Sequence, residues 1–220
     1  MSRRIIIVDD HPLFRAALRQ TLAGGEQAIA VEEAGDLPSL SAALEADRDC
    51  DLVLLDLNMP GAHGFSGLLL LRAQYPEVPV MIISAVEDAK VIRRTLELGA
   101  AGYLPKSVGP AEIRNAIDTV LAGGVFVPEG VDLSGEDDQS AFMRRLSTLT
   151  PQQIRVLMML SSGLMNKQIA YELSISEATV KAHVSSILQK LDVDSRTQAV
   201  IAASRIEQGQ FEQLLSPDAA

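Results

Sequence analysis

The sequence predicts two domains: an α/β domain built on a doubly wound, five-stranded parallel sheet, and an all-α domain behind it. Short β-type runs alternate with amphipathic helical patterns five times before residue 122, and βα units in series fold into a parallel sheet with helices on both faces. From residue 147 onward the patterns are helical. A chain of 220 residues is also too long for one average domain and short for three.

Five short apolar runs are the predicted strands of the sheet. They lie at residues 5–8, 29–33, 52–55, 80–84 and 102–104. The helices that follow them are predicted to start near Leu13, Pro38, Phe65, Ala89 and Pro110. Proline in a first helical turn costs no hydrogen bond, so Pro110 marks the start of a helix. Residues 1–122 are therefore predicted to form the first domain.

After residue 122 the pattern changes to a connecting segment and then to helices. Residues 123–146 hold glycines, a proline and an acidic run, and are predicted to be a solvated linker without a period of its own. The sequence Thr150-Pro151-Gln152-Gln153 fits a capping box that opens a helix. Helices are predicted at about 151–162, 166–173, 177–191 and 196–205. The helical domain therefore spans residues 147–205, and a C-terminal tail spans 206–220.

Composition limits the classes of protein to which the chain can belong. Nineteen basic and 29 acidic residues give a net charge of −10, which argues against a globally basic nucleic-acid binder. Residues 147–205, with six basic and four acidic residues, have a small positive balance. A single cysteine, Cys50, excludes a disulfide framework and a multi-thiolate metal site. Because no apolar run reaches the roughly 18 residues of a membrane span, we expect a soluble, cytoplasmic protein without a membrane partner.

Polar side chains lie at the carboxyl ends of four predicted strands. They are Asp9, Asp10, Asp56, Ser84 and Lys106. In an open parallel sheet these ends meet in one crevice, where oxygen ligands suit Mg²⁺ and the lysine balances the remaining charge. A phosphoryl group fits such a site, with Asp56 as the nucleophile that forms an acyl phosphate. Each residue taken alone is more often a helix cap or a turn former, but their joint position at one sheet edge favours the site.

Four motifs around these residues resemble a known family. They are I-V-D-D-H-P at 7–12, L-L-D-L-N-M-P at 54–60, I-I-S-A at 82–85 and G-A-A-G-Y-L-P-K at 99–106. They resemble the receiver domain of bacterial two-component response regulators, which has a CheY-like, flavodoxin-like fold. The resemblance implies that a partner histidine kinase phosphorylates Asp56. It also implies that Asp10, Asp56 and the Asn58 carbonyl hold Mg²⁺, with Asp9 assisting through water.

The same resemblance implies a switch. Ser84 and Tyr103 would rearrange when the phosphoryl group arrives, and Lys106 would hold its oxygens. On its pattern alone, Tyr103 is more typical of a half-buried strand aromatic. Many receivers have a proline after the lysine, whereas here Ser107 follows Lys106 and Pro105 precedes it, so no cis peptide is expected after the lysine.

In the helical domain, residues 166–173, a tight turn at 174–176 and the long helix 177–191 fit a helix-turn-helix. One apolar stripe runs along the long helix through Val180, Val184, Ile187, Leu188 and Leu191. The stripe leaves outside Lys181, Ala182, Ser185, Ser186 and Gln189. Such a face can enter a DNA major groove, but the pattern alone also fits a dimerisation bundle or a protein-docking module.

A second resemblance covers this helical domain. Its motifs are L-T-P at 149–151, Gly163, N-K-Q-I-A at 166–170, L-S-I-S-E-A-T-V-K-A-H at 173–183, K-L at 190–191 and R-T-Q-A at 196–199. They are similar to the LuxR-type DNA-binding domain, and a receiver followed by this domain is the NarL/FixJ arrangement. The resemblance implies that the last helix supplies a DNA-dependent dimer contact. The predicted DNA-contacting residues are Lys181, Ala182, His183, Ser185, Gln189 and Lys190.

Three residues depart from the LuxR-type pattern. Gln153 stands where the family usually has glutamate, but it still completes the capping box, so only a charge is lost. Met165 and Gln168 replace the usual serine and glutamate at the start of the second helix. We therefore expect that helix start to be looser.

The sequence thus predicts a phosphorylation-controlled transcriptional regulator that binds a double-stranded DNA operator and forms a homodimer on phosphorylation. It is not predicted to be an enzyme, apart from Mg²⁺-dependent self-phosphorylation and self-dephosphorylation at Asp56. One rival is a phosphatase with an aspartyl-phosphate intermediate, but haloacid-dehalogenase-like enzymes carry a D-x-D run after the first strand, whereas Asp9-Asp10-His11 follows it here. Another rival is a constitutive DNA binder with a vestigial receiver. The presence of every expected site residue argues against it.

Overall fold

A five-stranded parallel sheet organises the first half of the computed structural model, which describes residues 3–24, 28–59, 62–63, 65–132, 142 and 144–207. The strands are β1 (Arg3–Val8), β2 (Ile29–Ala34), β3 (Leu52–Asp56), β4 (Asn58–Met59), β5 (Ala62–His63), β6 (Val80–Ser84) and β7 (Gly102–Pro105). The sheet order is β2-β1-β3-β6-β7, and each neighbouring pair is parallel. The predicted five-stranded parallel sheet is therefore confirmed.

Helices cover both faces of the sheet. They are α1 (Pro12–Ala23), α2 (Leu37–Ala46), α3 (Ser66–Gln74), α4 (Ala89–Glu97) and α5 (Pro110–Leu121). Successive strand residues point to opposite faces, so Ile5 and Ile7 share one core with Leu18 of α1 and Ile117 of α5. Ile6 belongs to the other core, with buried residues of α2, α3 and α4. This division is the doubly wound arrangement that the sequence predicts.

The strands β4 and β5 form a small antiparallel pair directly after β3, which the sequence analysis did not predict. Asn58 pairs with His63, and the Met59 side chain is buried. Two-residue strands are too short to show an alternating pattern. The pair positions the backbone of Asn58 next to the end of β3.

The segment after α5 lies along the edge strand β7. The Phe126 N–H donates to the Ala101 carbonyl at 3.1 Å, and the Tyr103 N–H donates to the Phe126 carbonyl at 3.0 Å. Gly102 allows this approach, because a Cβ there would lie 3.0 Å from the Phe126 oxygen. The prediction of a solvated linker is therefore wrong around Phe126. The acidic run at 135–140 lies outside the described residues.

The second domain consists of helices, as predicted. They are α6 (Pro151–Ser161), α7 (Asn166–Glu172), α8 (Glu177–Leu191) and α9 (Arg196–Glu207). Thr150 and Gln153 form the predicted capping box of α6. At α7 the Met165 N–H donates to the Gln168 side-chain oxygen at 2.8 Å, so an uncharged amide closes this helix start. Helix α9 takes up the first two residues of the predicted tail, and residues 208–220 lie outside the described part of the chain.

The two domains are in contact through α3 and α6. The Arg155 guanidinium donates to the Gln74 side-chain oxygen at 2.9 Å, and Leu149 and Ile154 are buried close by. A cavity of about 290 Å³ remains between the domains, lined by Leu69, Glu97, Leu149 and Ile154 among others. Among the described residues, no helix combines the length and apolar character that crossing a bilayer requires.

Candidate functional site

The register of the sheet brings the predicted phosphoacceptor residues together. Val8 pairs with Leu55, and Ser84 pairs with Pro105, so the carboxyl ends of β1, β3, β6 and β7 lie at one edge. Asp9 and Asp10 directly follow β1, Asp56 ends β3 and Lys106 directly follows β7. These are the positions that the strand pattern predicted.

Lys106 forms ion pairs with two buried carboxylates. Its Nζ lies 2.7 Å from Asp9 Oδ2 and 2.9 Å from Asp56 Oδ2. The side chains of Asp9 and Asp56 are 1% and 2% exposed, whereas that of Lys106 is 18% exposed. The ammonium also lies 4.7 Å from the centre of the Phe14 ring, a cation–π distance. One cation thus neutralises part of the negative charge at the bottom of the crevice.

His11 is a member of the site that the sequence analysis did not single out. Its Nδ1 lies 2.7 Å from Asp10 Oδ1 and 3.2 Å from Asp9 Oδ1, and its backbone N–H donates to Asp9 Oδ1 at 2.7 Å. The imidazole is 66% exposed at the mouth of the crevice. The sequence could have indicated His11 as a site residue, because it directly follows Asp9 and Asp10 in the first motif.

The acidic residues fit a divalent cation. Asp9, Asp10, Asp56 and His11 each offer a ligand atom, and these atoms all lie within 4.8 Å of one another. The carboxylates supply the hard oxygen ligands that Mg²⁺ prefers. The Asn58 N–H donates to Asp56 Oδ1 at 3.3 Å, which places the Asn58 backbone beside this cluster. These residues therefore match the chemistry of a magnesium site.

Burial and charge act in opposite directions on the two central groups. Burial raises the pKa of Asp56, and although Lys106 opposes this change, the neighbouring Asp9 charge reinforces it. Burial disfavours the charged Lys106, but its hydrogen bonds to Asp9 and Asp56 outweigh that effect and raise the pKa of the ammonium. The lysine beside Asp56 therefore stays charged at neutral pH and opposes the effect of burial on the carboxylate.

Ser84 and Tyr103 lie next to each other behind the carboxylate cluster. Both are completely buried. The Ser84 Oγ accepts from the Val86 N–H at 3.2 Å, and the Tyr103 hydroxyl donates to the Val86 carbonyl at 2.6 Å. Burial raises the pKa of Tyr103 to about 12, although the neighbouring Ser84 hydroxyl lowers it. Both side chains are thus attached to the loop between β6 and α4.

Helix α8, the predicted recognition helix of the helix-turn-helix, exposes part of the predicted DNA-contacting set. Lys181, Ala182, Ser185 and Gln189 are exposed, whereas Val180, Ile187 and Leu191 are buried. His183 is half-buried. The Lys181 Nζ lies 3.3 Å from Glu177 Oε1, an exposed i,i+4 pair.

Ser186, predicted to face outward, and Lys190, predicted to contact DNA, both make hydrogen bonds within the domain. Ser186 is half-buried and its Oγ accepts from Gln153 Nε2 at 2.9 Å, so its predicted outward position is wrong. The Lys190 Nζ donates to the Thr148 carbonyl at 2.7 Å and to Gln153 Oε1 at 2.9 Å. Gln153 therefore links the start of α6 to the recognition helix, and these contacts give Lys190 an intramolecular role.

Family comparisons agree with this architecture. The family described as the response regulator receiver domain matches residues 5–118, and the family described as bacterial regulatory proteins of the luxR type matches residues 147–203. The chain is 42% identical over 212 residues to the glycerol metabolism activator of Pseudomonas putida, a match that covers 93% of this chain and 96% of that protein.

Two further proteins resemble the whole arrangement. The nitrate/nitrite response regulator NarP of Escherichia coli (strain K12) is 38% identical over 201 residues, covering 90% of this chain and 93% of NarP. The response regulator RcsB, solved in complex with DNA, is 23% identical and matches the fold with a TM-score of 0.56 over 94% of this chain and 100% of that chain. This chain belongs to the DNA-binding transcriptional response regulators that join a receiver domain to a LuxR-type helix-turn-helix domain.

Proposed function

We propose that Asp56 is the phosphoacceptor of this regulator. The observation that carries the proposal is the Asp56 carboxylate, which is buried at the sheet edge and paired with Lys106 at 2.9 Å. In the reaction an Asp56 oxygen attacks the phosphorus of a phosphohistidine, the P–N bond breaks, and an acyl phosphate forms on the aspartate. Lys106 stabilises the negative charge that then gathers on the phosphoryl oxygens.

Asp10, Asp56 and the Asn58 carbonyl would hold Mg²⁺, with Asp9 assisting through water. The bound cation supplies charge neutralisation and orients the phosphoryl oxygens. Asp9 is more deeply buried than Asp10 and already forms an ion pair with Lys106, which suits an assisting role. The same residues support self-phosphorylation by small phosphodonors and hydrolysis of the acyl phosphate, the only catalytic steps proposed for the chain.

A partner histidine kinase is the proposed phosphodonor, and the outer face of α1 supports its docking. Leu13 is 87% exposed one turn from the acidic cluster, and Ala16, Ala17 and Gln20 continue an exposed stripe with i, i+3, i+4, i+7 spacing. A stripe with two alanines lets another helix approach closely. A helical phosphodonor domain packed there would present its histidine near Asp56.

Phosphorylation is proposed to promote a homodimer that binds a double-stranded operator. The exposed side chains of Lys181, Ala182, Ser185 and Gln189 would enter the major groove, and half-buried His183 would contact its edge. The small positive balance of residues 147–205 implies weak binding by one domain, so two domains on one operator are needed. Lys190 is the weakest member of the set, since its ammonium donates inside the domain.

The proposed functional units are a receiver at 1–122, a connecting segment at 123–146, the DNA-binding domain at 147–205 and a tail at 206–220. Because the proposed operator is double-stranded DNA, which a bacterial cell keeps in its cytoplasm, we propose a cytoplasmic location.

The experiment that tests the function uses the full chain with acetyl phosphate and Mg²⁺. Intact-mass analysis should show one added phosphoryl group in the wild type and none in Asp56→Ala, and a gel-shift assay should show tighter DNA binding only in the labelled protein. Equal labelling of Asp56→Ala would remove Asp56 from its role. Turnover of a phosphate ester by the wild type would instead favour the phosphatase.

A further inference from the structure

A hydrogen bond between two side chains joins two loops at the sheet edge that carries the phosphoacceptor site. The Ser107 Oγ donates to Glu87 Oε1 at 2.6 Å. Glu87 belongs to the loop 85–88 between β6 and α4, which we call the switch loop, and Ser107 belongs to the loop between β7 and α5. The bond therefore joins the two loops that follow the neighbouring strands β6 and β7, directly after Lys106.

Other hydrogen bonds attach the same switch loop to β7. The Lys106 N–H donates to the Ser84 carbonyl at 2.8 Å at the base of the loop, and the Tyr103 hydroxyl donates to the Val86 carbonyl at 2.6 Å in its middle. The Ser107–Glu87 bond lies furthest from the strands, just before Asp88 caps α4. The loop is thus fastened at its base, middle and outer end.

Both residues of the implied switch are bonded to this loop in its present position. The Ser84 Oγ accepts from the Val86 N–H, and the Tyr103 hydroxyl donates to the Val86 carbonyl. The rearrangement of Ser84 and Tyr103 that the family resemblance implies therefore requires the switch loop to move with them or these bonds to break. Contacts that hold the loop in its present place, including the bond from Ser107, therefore oppose that movement.

We propose that Ser107 and Glu87 form a latch that stabilises the resting position of the switch loop and so sets how much phosphorylation the response needs. The proposal rests on the proposed function of Asp56. Ser107 is a positioning residue, because it acts through the loop and does not touch the reacting atoms. Since both side chains are exposed, their hydrogen bond shifts the equilibrium between the resting and the displaced position of the switch loop roughly two- to fivefold.

The test titrates full-length protein with acetyl phosphate in Mg²⁺ and measures two quantities in the same samples. Intact mass gives the fraction labelled, and sedimentation gives the fraction of dimer. Ser107→Ala should reach half-maximal dimer at a labelled fraction roughly two- to fivefold lower than the wild type. Ser107→Thr keeps the hydroxyl and should match the wild type.

Variants of Glu87 separate the hydrogen bond from the charge. Glu87→Gln keeps a carbonyl acceptor and should stay near the wild type, whereas Glu87→Ala should shift as far as Ser107→Ala. The double alanine variant should shift no further than either single variant, because both remove the same bond. The latch is refuted if Ser107→Ala coincides with the wild type, if Glu87→Gln behaves like Glu87→Ala, or if the two alanine effects add.

The two proposals fail in different ways in this experiment. A wild-type protein that is labelled and dimerises, together with an unshifted Ser107→Ala, overturns the latch and leaves the role of Asp56 intact. A wild-type protein that is not labelled overturns both.

Discussion

Replacing Lys106 with methionine removes the ammonium that lies 2.7 Å from Asp9 and 2.9 Å from Asp56. Methionine keeps most of the apolar stem, so the main loss is charge. At an effective dielectric constant of 20, each ion pair at this distance represents about 6 kcal/mol of gross attraction, much of which is offset by the cost of burying the ammonium. Two carboxylates that are 1% and 2% exposed are then left facing each other without a cation.

Removing one member of a buried ion pair typically costs 3–5 kcal/mol. We expect about 3 kcal/mol for Lys106→Met in Mg²⁺-free buffer, at the lower end because the Lys106 side chain is itself 18% exposed. Added Mg²⁺ should stabilise the variant more than the wild type, because a second cation takes over the neutralisation of the same carboxylates.

Urea unfolding followed by circular dichroism measures both effects, with Lys90→Met as the matched control. Lys90 is exposed on α4 and its substitution should change stability by no more than about 0.5 kcal/mol. If Lys106→Met costs no more than Lys90→Met, or if Mg²⁺ stabilises all three proteins equally, the charge balance described for the crevice is wrong.

Three further outcomes follow from named contacts. Asp10→Ala should lower labelling by acetyl phosphate, and excess Mg²⁺ should partly restore it, as intact mass can show. Lys181→Ala should reduce the salt slope of DNA binding by about one unit, whereas Lys190→Ala should mainly lower the domain's melting temperature, because the Lys190 ammonium donates to the Thr148 carbonyl. The Arg4 backbone N–H, and then the Arg3 side chain, lower the pKa of Asp51, so Asp51→Asn should cost about 1 kcal/mol of stability near neutral pH. Chemical unfolding should show the difference between the two proteins fading as the pH falls below 3.8, the usual pKa of an aspartate, and through the lowered pKa of Asp51.

The main features of the phosphoacceptor site were predictable because they depend on periodicity. Apolar strand runs end where polar residues begin, and parallel strands place those ends together, so Asp56 and Lys106 could be paired from the sequence although 50 residues separate them. The partner of His11 could not be predicted, because its imidazole contacts Asp10 through a side-chain rotation that no spacing encodes. The same holds for the Ser107–Glu87 bond.

Ser186, Lys190 and Phe126 make contacts that the sequence pattern does not show. Ser186 precedes Ile187 at the border of the apolar stripe, where a helix position can face either way. Lys190 has a long apolar stem that lets its charge reach Gln153 on α6. Phe126 contacts β7 as a single bridging residue, and one residue cannot show the alternation by which a strand is recognised.

The position of the recognition helix bears on how phosphorylation controls DNA binding. With every described residue of both domains in place, Lys181, Ser185 and Gln189 are exposed, while α3 of the first domain contacts α6 of the second. Helix α9, in turn, contacts β5, which pairs with β4 next to Asp56. In this arrangement the receiver leaves the outward residues of α8 open and instead touches the helix that the family resemblance assigns to dimer formation. Control through dimer formation therefore fits the contacts of this structure better than a direct cover over the recognition helix.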